Sequence, residues 1–193
     1  LNRECRDVIE GRFDRGVEAL LRETIIARAK KHHSDGVIYG EKNVTLAPFV
    51  QELHRLLNCR FVFVHRDGRD VTSSLINWHN ELFGSVYREC RDPGELSPTA
   101  YKAVSGLPLE EDTSDYSRPR PDHKDIWYDR WDNFSRLEMC AWYWSRMNDL
   151  YLDKLQALPS DRWIAVDYTR PSPEDIGRVV EFLGLRGLTL LQI

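Results

Sequence analysis

Three side chains in this 193-residue sequence have the types and spacings that hold an anion: Arg66, Ser74 and Lys42. Arg66 follows the β-prone run Arg60-Phe61-Val62-Phe63-Val64-His65 and precedes Asp67-Gly68-Arg69-Asp70, a glycine-containing turn that opens a helix. A guanidinium at the carboxyl end of a buried strand, beside the free N–H groups of a helix start, binds phosphate through charge-assisted hydrogen bonds. Ser74 stands one helical turn beyond Asp70, so its hydroxyl is expected to face the same anion. Lys42 lies in the turn Gly40-Glu41-Lys42-Asn43 after the short β-prone run Val37-Ile38-Tyr39, and its ammonium is expected at the same sheet edge as Arg66. A second arrangement stays open: Arg66, Asp67, Arg69 and Asp70 as a structural ion-pair cluster, with Lys42 a solvated loop lysine.

These positions require a particular scaffold. Apolar residues recur at steps of three and four over 14–31 (Val17, Leu20, Leu21, Ile25, Ala29), the stripe of an amphipathic helix. Val37-Ile38-Tyr39 then reads as a buried strand, Leu46 to Leu57 as a helix and 60–65 as the clearest strand. Two strands joined through a helix over about 30 residues pair in parallel, which selects an α/β sheet. The next helix is expected from near Asp70, whose carboxylate would serve the first-turn amides, to about Phe83. Strand, turn and helix meet where ligands bind in such sheets.

From 84 to 131 the period is lost, and five prolines punctuate a polar stretch containing Glu110-Glu111-Asp112; this segment reads as an irregular insertion or lid over the site. Helical spacing resumes at Asn133 and continues to Leu155, and Trp163-Ile164-Ala165-Val166 is a further strand. Ser172-Pro173-Glu174-Asp175 starts a last helix, with Ile176, Val179, Val180 and Leu183 expected to face inward and Gly184 ending it.

Composition narrows the function classes. Hydrophobic residues are 41% and aromatics 11%, with six tryptophans, enough for a folded core in one domain over 1–193. A net charge of -4 argues against a nonspecific grip on nucleic acid. No apolar run approaches the roughly 18 residues of a membrane span, so no membrane contact is expected. Cys5, Cys59, Cys90 and Cys140 are far apart, which favours free thiols in a reducing compartment over a zinc site or a disulfide scaffold.

Gly40-Glu41-Lys42-Asn43 before a helix, then Arg60 to Val71 with Ser74 eight residues after Arg66, resembles the sulfotransferases that use 3′-phosphoadenylyl sulfate (PAPS). The Arg66-Asp67-Gly68-Arg69 core is most similar to bacterial members and to the tyrosylprotein and glycan branch. Trp144, the run Trp163 to Tyr168 and Glu181-Phe182-Leu183-Gly184-Leu185 extend the resemblance, which covers about residues 37–80 and 134–185. It implies an α/β fold with a central parallel sheet of the P-loop-NTPase-like sulfotransferase type. It also implies transfer of a sulfonate from PAPS to a hydroxyl or amine on a small-molecule, glycan or peptide acceptor, without a metal. Arg66 and Ser74 would hold the 3′-phosphate, Lys42 would support the sulfonate in transfer, and Tyr168 would lie near the adenine.

Several positions depart from that pattern. Leu1 to Phe13 contains nothing like the family's N-terminal phosphosulfate loop, Val44 stands where one branch carries a basic histidine, Asn43-Val44 replaces Thr-Pro or Asp-Pro, and Thr169 replaces an acid after the tyrosine. A non-catalytic nucleotide-binding or scaffold domain of the same fold is therefore the alternative. A P-loop kinase is disfavoured because G-x-x-x-x-G-K-[ST] is missing. Trp78 and His79 are candidates for the acceptor pocket or the core. Trp127, Tyr128 and Trp131 with Arg130 are candidates for ring stacking or packing, and His32, His33 and His123 lack metal-ligand spacing. Twenty-one of the 27 basic residues are arginine, which favours a bacterial cytoplasmic enzyme, with the Golgi lumen as the alternative if an anchor precedes Leu1.

Overall fold

A computed structural model describes residues 2–13, 15–34, 38–82, 86–87 and 118–185, with the side chains of 2, 3, 34 and 78–82 outside that description. The elements are α1 (Asn2–Ile9), α2 (Val17–Leu21), a π-helical stretch (Arg22–Ile26), α3 (Ala27–Ser34), α4 (Val50–Leu57), β1 (Phe61–His65), α5 (Gly68–Leu82), α6 (Arg136–Gln156), β2 (Trp163–Asp167) and α7 (Pro173–Leu183). The protein is mixed α/β, mostly helical, and the described sheet has two strands, with β1 parallel to β2 in the register Phe61↔Trp163 to His65↔Asp167. Among the described residues no helix is long and apolar enough to cross a membrane.

The expected helix over 14–31 forms from Val17 to Ser34, with a π-helical turn inside it. The buried pairs Leu20-Leu21 and Ile25-Ile26 are five residues apart, a spacing that an ideal α-helix rotates off one face and a wider π turn brings back. The Thr24 hydroxyl donates to the Leu20 carbonyl at 2.7 Å at the same place, satisfying an acceptor in the disturbed ladder. These residues close a core with Cys5, Leu46, Phe49 and Leu53.

The strand expected at Val37-Ile38-Tyr39 does not form in its described part. Val37 lies outside the described residues, while Ile38 and Tyr39 have no strand pairing and Ile38 is 73% exposed. Tyr39 instead stacks on His32, ring centroids 5.4 Å apart, and its hydroxyl donates to Glu41. A three-residue run is held as a strand only by a ladder partner, and β1 pairs with β2. The parallel crossover therefore runs from β1 through α5 and α6 to β2.

Phe61, Phe63 and Trp163 cover one side of this ribbon with Val50 of α4 and Tyr151, Leu152 and Leu155 of α6. The other side is open in part: Val64 is 56% exposed, so β1 is half-buried where a buried strand was expected. On α7 the Ser172 cap, its capping box with Asp175, Pro173 in the first turn and the left-handed Gly184 (φ 70°) all form as the sequence indicates. Its apolar stripe is not buried as expected, however, with Ile176 48% exposed. Two strands about 5 Å apart are too narrow a floor for a whole helix face.

α6 starts with a second capping box, Ser135 with Glu138, and contributes Met139, Cys140, Trp142, Tyr143 and Met147 to the largest core cluster. The ends of the expected 84–131 insertion are packed. Tyr87 is fully buried and donates to the Pro119 carbonyl at 2.8 Å, the Arg120 amide donates to Glu10 at 2.9 Å, and Trp131 meets Trp142 edge-on at 5.2 Å. Trp131 is thus a core residue, while Trp127 and Tyr128 beside it are exposed. The expected lid lies for the most part in 88–117, outside the described residues. Among the described residues Cys5, Cys59 and Cys140 form no disulfide, and Cys90 lies outside them.

Candidate functional site

β1 ends at His65 and β2 at Asp167, and because the strands are parallel the next residues, Arg66 and Tyr168, leave the sheet at the same edge. The Tyr168 amide donates to the His65 carbonyl at 2.7 Å, extending the ladder one step past the last paired residues. Tyr168 itself is 55% exposed. Arg66 then opens the turn into α5, which starts at Gly68, two residues earlier than the Asp70 start expected.

The carboxylate that serves the helix start is that of Asp67, not Asp70. It accepts from the Arg69 amide at 2.9 Å and from the Arg69 guanidinium at 3.0 and 2.7 Å. These bonds, from the guanidinium first and the amides of Arg69 and Asp70 next, hold the Asp67 carboxyl well below the usual carboxylate range. The amides expected to be free for an external anion are therefore occupied by the chain's own carboxylate. Asp70, one turn on, pairs instead with Arg66, Nη2 to Oδ2 at 3.3 Å.

Any anion at Arg66 thus meets a guanidinium already in a surface ion pair. Ser74 is exposed on α5 and stands one turn beyond Asp70, with the Asp70 carboxylate between it and Arg66 along the helix face. The structure brings Arg66, Asp70 and Tyr168 to one edge, while Ser74 lies further along α5 with no contact to them among the described interactions. The mixed charge there, with Asp67, Asp70 and Asp167 beside Arg66 and Arg69, matches the ion-pair cluster foreseen as the alternative at the level of contacts.

Lys42 is placed by a different anchor. The Asn43 carbonyl accepts from the Tyr151 hydroxyl of α6 at 3.0 Å, and the Asn43 side chain accepts from the amide and hydroxyl of Thr45 at 2.8 and 2.7 Å. Asn43 therefore makes an Asx turn that fixes the chain just after Lys42. Tyr151 packs on Phe63 of β1, centroids 5.7 Å apart, and burial pushes its hydroxyl up, keeping it a donor. Beside Lys42, Glu41 is committed to Arg28 at 3.2 Å, and the Lys42 side chain is exposed.

α6 thus ties both cationic segments. Trp144 donates from Nε1 to the Arg66 carbonyl at 3.1 Å, and Tyr151, seven residues further on, holds Asn43. Seven residues are two turns on one helix face, so the two anchor points are about 10 Å apart along the axis.

Gly68 is required here. A Cβ at this position would come within 2.9 Å of the Trp144 ring, so the turn can lie on the indole only with glycine. The Asp67 cap is missed by a helix start read at Asp70, although an Asp directly before Gly68 is a signal for it, while the roles of Trp144, Tyr151 and Thr169 as anchors rest on contacts across 78, 108 and 102 residues. Of the other candidates, His32 is taken by the Tyr39 stack and His123 by Asp122 at 3.2 Å, and the side chains of Trp78 and His79 lie outside the described residues. Among the described residues no group of three or more His, Cys, Asp or Glu is arranged to hold a metal ion. No protein family, curated protein or solved structure matches this chain.

Proposed function

We propose that the protein is a PAPS-dependent sulfotransferase of the P-loop-like α/β type that moves a sulfonate group to a hydroxyl or amine acceptor. The observation that carries the reading is the common edge: Arg66 and Tyr168 leave parallel strands side by side, with Ser74 on the following helix and Lys42 on a loop tied to the same helix face. Arg66 and Ser74 hold the 3′-phosphate, Tyr168 offers its exposed ring to the adenine, and Lys42 supports the transferring group.

Sulfonate transfer is a displacement at sulfur with charge spread over the equatorial oxygens, so positioning and cationic stabilisation supply most of the rate. The decisive experiment is calorimetric titration with PAP, the desulfonated product, alongside turnover of PAPS with candidate acceptors. Arg66→Ala weakens PAP by about 2–4 kcal/mol through loss of a charge-assisted contact, and Ser74→Ala by about 1 kcal/mol. Adenosine 5′-phosphosulfate, which lacks the 3′-phosphate, is insensitive to both changes. Equal sensitivity of that ligand removes the 3′-phosphate assignment, and PAP binding without turnover on any acceptor supports the non-catalytic nucleotide-binding domain instead.

A further inference from the structure

The peptide group that joins Arg66 to Asp67 is held at both ends. Its carbonyl oxygen accepts from the Trp144 indole N–H at 3.1 Å, and its N–H donates to the Thr169 hydroxyl oxygen at 3.0 Å. The two partners come from α6 and from the turn after β2, two separate elements that both follow the Arg66 turn in the chain. Each partner is itself fixed. The Trp144 ring lies directly against Gly68, and the amide of Thr169 donates to the Asp167 carboxylate at 2.8 Å.

The preceding peptide is fixed as well, because the His65 carbonyl accepts from the Tyr168 amide at 2.7 Å. With the planes on both sides of Arg66 set, its backbone dihedrals are set, and so is the direction in which its Cβ leaves the chain. Ordering an exposed arginine on an anion costs both main-chain and rotamer freedom, and a backbone already fixed removes the main-chain part of that cost.

We propose that Trp144 and Thr169 are positioning residues that clamp the Arg66–Asp67 peptide group and thereby aim the Arg66 guanidinium at its anion. The effect on PAP rests on the sulfotransferase reading; the clamp itself does not. Thr169, a departure from the family pattern, then has a reason: its hydroxyl accepts from the Asp67 N–H while its own amide is held by Asp167. An acidic side chain in its place would set a third carboxylate against Asp67 and Asp167.

The test uses the full chain with Thr169→Val, which keeps the shape and removes the hydroxyl, Thr169→Ser, which restores it, and Trp144→Phe. Without ligand, nitrogen-15 relaxation of the Arg66 Nε–H and hydrogen exchange of the Asp67 amide are followed by NMR. With ligand, PAP affinity is read by calorimetry well below the melting temperature. Thr169→Val is expected to speed Asp67 amide exchange at least tenfold, lower the Arg66 order parameter and weaken PAP about fivefold, with Thr169→Ser close to wild type in all three. Trp144→Phe is expected to move the same readouts in the same direction.

Unchanged Arg66 order and unchanged PAP affinity in Thr169→Val overturn the clamp. So does an equal loss in Thr169→Ser, which traces the effect to general loosening rather than to the hydroxyl. If the wild-type chain binds no PAP, the sulfotransferase reading fails, and the two ligand-free NMR readouts still decide the clamp.

Discussion

Replacing Asp70 with Asn is expected to tighten PAP binding, because Arg66 is paired with Asp70 before any ligand arrives. The pair is long, 3.3 Å, and both side chains are near half exposed at 46% and 49%, so its own worth is about 0.3–0.5 kcal/mol for an i,i+4 surface pair. The larger cost is repulsion between the Asp70 carboxylate and an arriving phosphate. Two unit charges near 4 Å in water repel by about 1 kcal/mol, so a dianion at that distance costs about 2 kcal/mol before screening. At physiological ionic strength the Debye length of about 8 Å roughly halves this. Pair and repulsion together come to about 1–1.5 kcal/mol, a gain of roughly fivefold to tenfold in affinity on neutralising Asp70.

The same change removes an acid from the first turn of α5, which lowers stability slightly, so affinity and melting temperature are expected to move in opposite directions. Calorimetry with PAP in about 0.15 M salt shows the gain, and in about 1 M salt, where the Debye length is near 3 Å, the gain shrinks to about twofold or less. An Asp70→Asn chain that binds PAP more weakly than wild type, or equally at both salt concentrations, refutes the picture of Asp70 as a competing counter-ion and with it the placement of the phosphate at Arg66.

Lys42→Met keeps the aliphatic stem and removes the charge; on the proposed sulfotransferase function kcat is expected to fall by about 10²–10³-fold while PAP affinity changes less than about fivefold, because an ammonium in that role would act most as the departing ester oxygen becomes negative. Equal losses in turnover and affinity assign Lys42 to ground-state binding instead. Asp67 and Asp167 are both held below the unfolded value near 3.8, Asp67 by Arg69 and Asp167 by the Thr169 hydroxyl and amide, so their stabilisation is present above about pH 4 and is lost as pH falls through the folded values. Melting temperature is therefore expected to drop on acidification from about pH 5 towards 2, and Asp67→Asn, which still caps α5, flattens that drop. Burial pushes the Cys5 and Cys59 thiols up to about 11, so both remain protonated at neutral pH. Native labelling with iodoacetamide at pH 7.5, read by mass spectrometry, is expected to leave Cys5 and Cys59 unmodified until denaturant is added; rapid labelling of either shows that its segment opens easily.

Local pattern was enough for much of this protein. The period of apolar residues placed α4 and α6, the run Phe61 to His65 and the run after Trp163 were strands by composition, and Ser172-Pro173 marked the start of α7, because each depends on neighbours within one or two turns. Gly68 and Asp67 likewise announced a turn into a helix. Which strand pairs with β1 was decided elsewhere: Val37-Ile38-Tyr39 and Trp163 to Asp167 are both β-prone, and the ladder on β1 is made by the distant one. The use of each charge was also a tertiary matter. Arg66 looks the same in sequence whether it awaits a phosphate or pairs with Asp70, and the Asp67 carboxylate fills amides that the helix start alone leaves open. The Arg66–Asp67 peptide is held by Trp144 and Thr169, 78 and 102 positions away from the atoms they hold. Hydrogen bonds of that separation carry no periodic signature in the chain, since they depend on the distance between α6, the end of β2 and the turn after β1, which exists only once the helices and the parallel pair have packed.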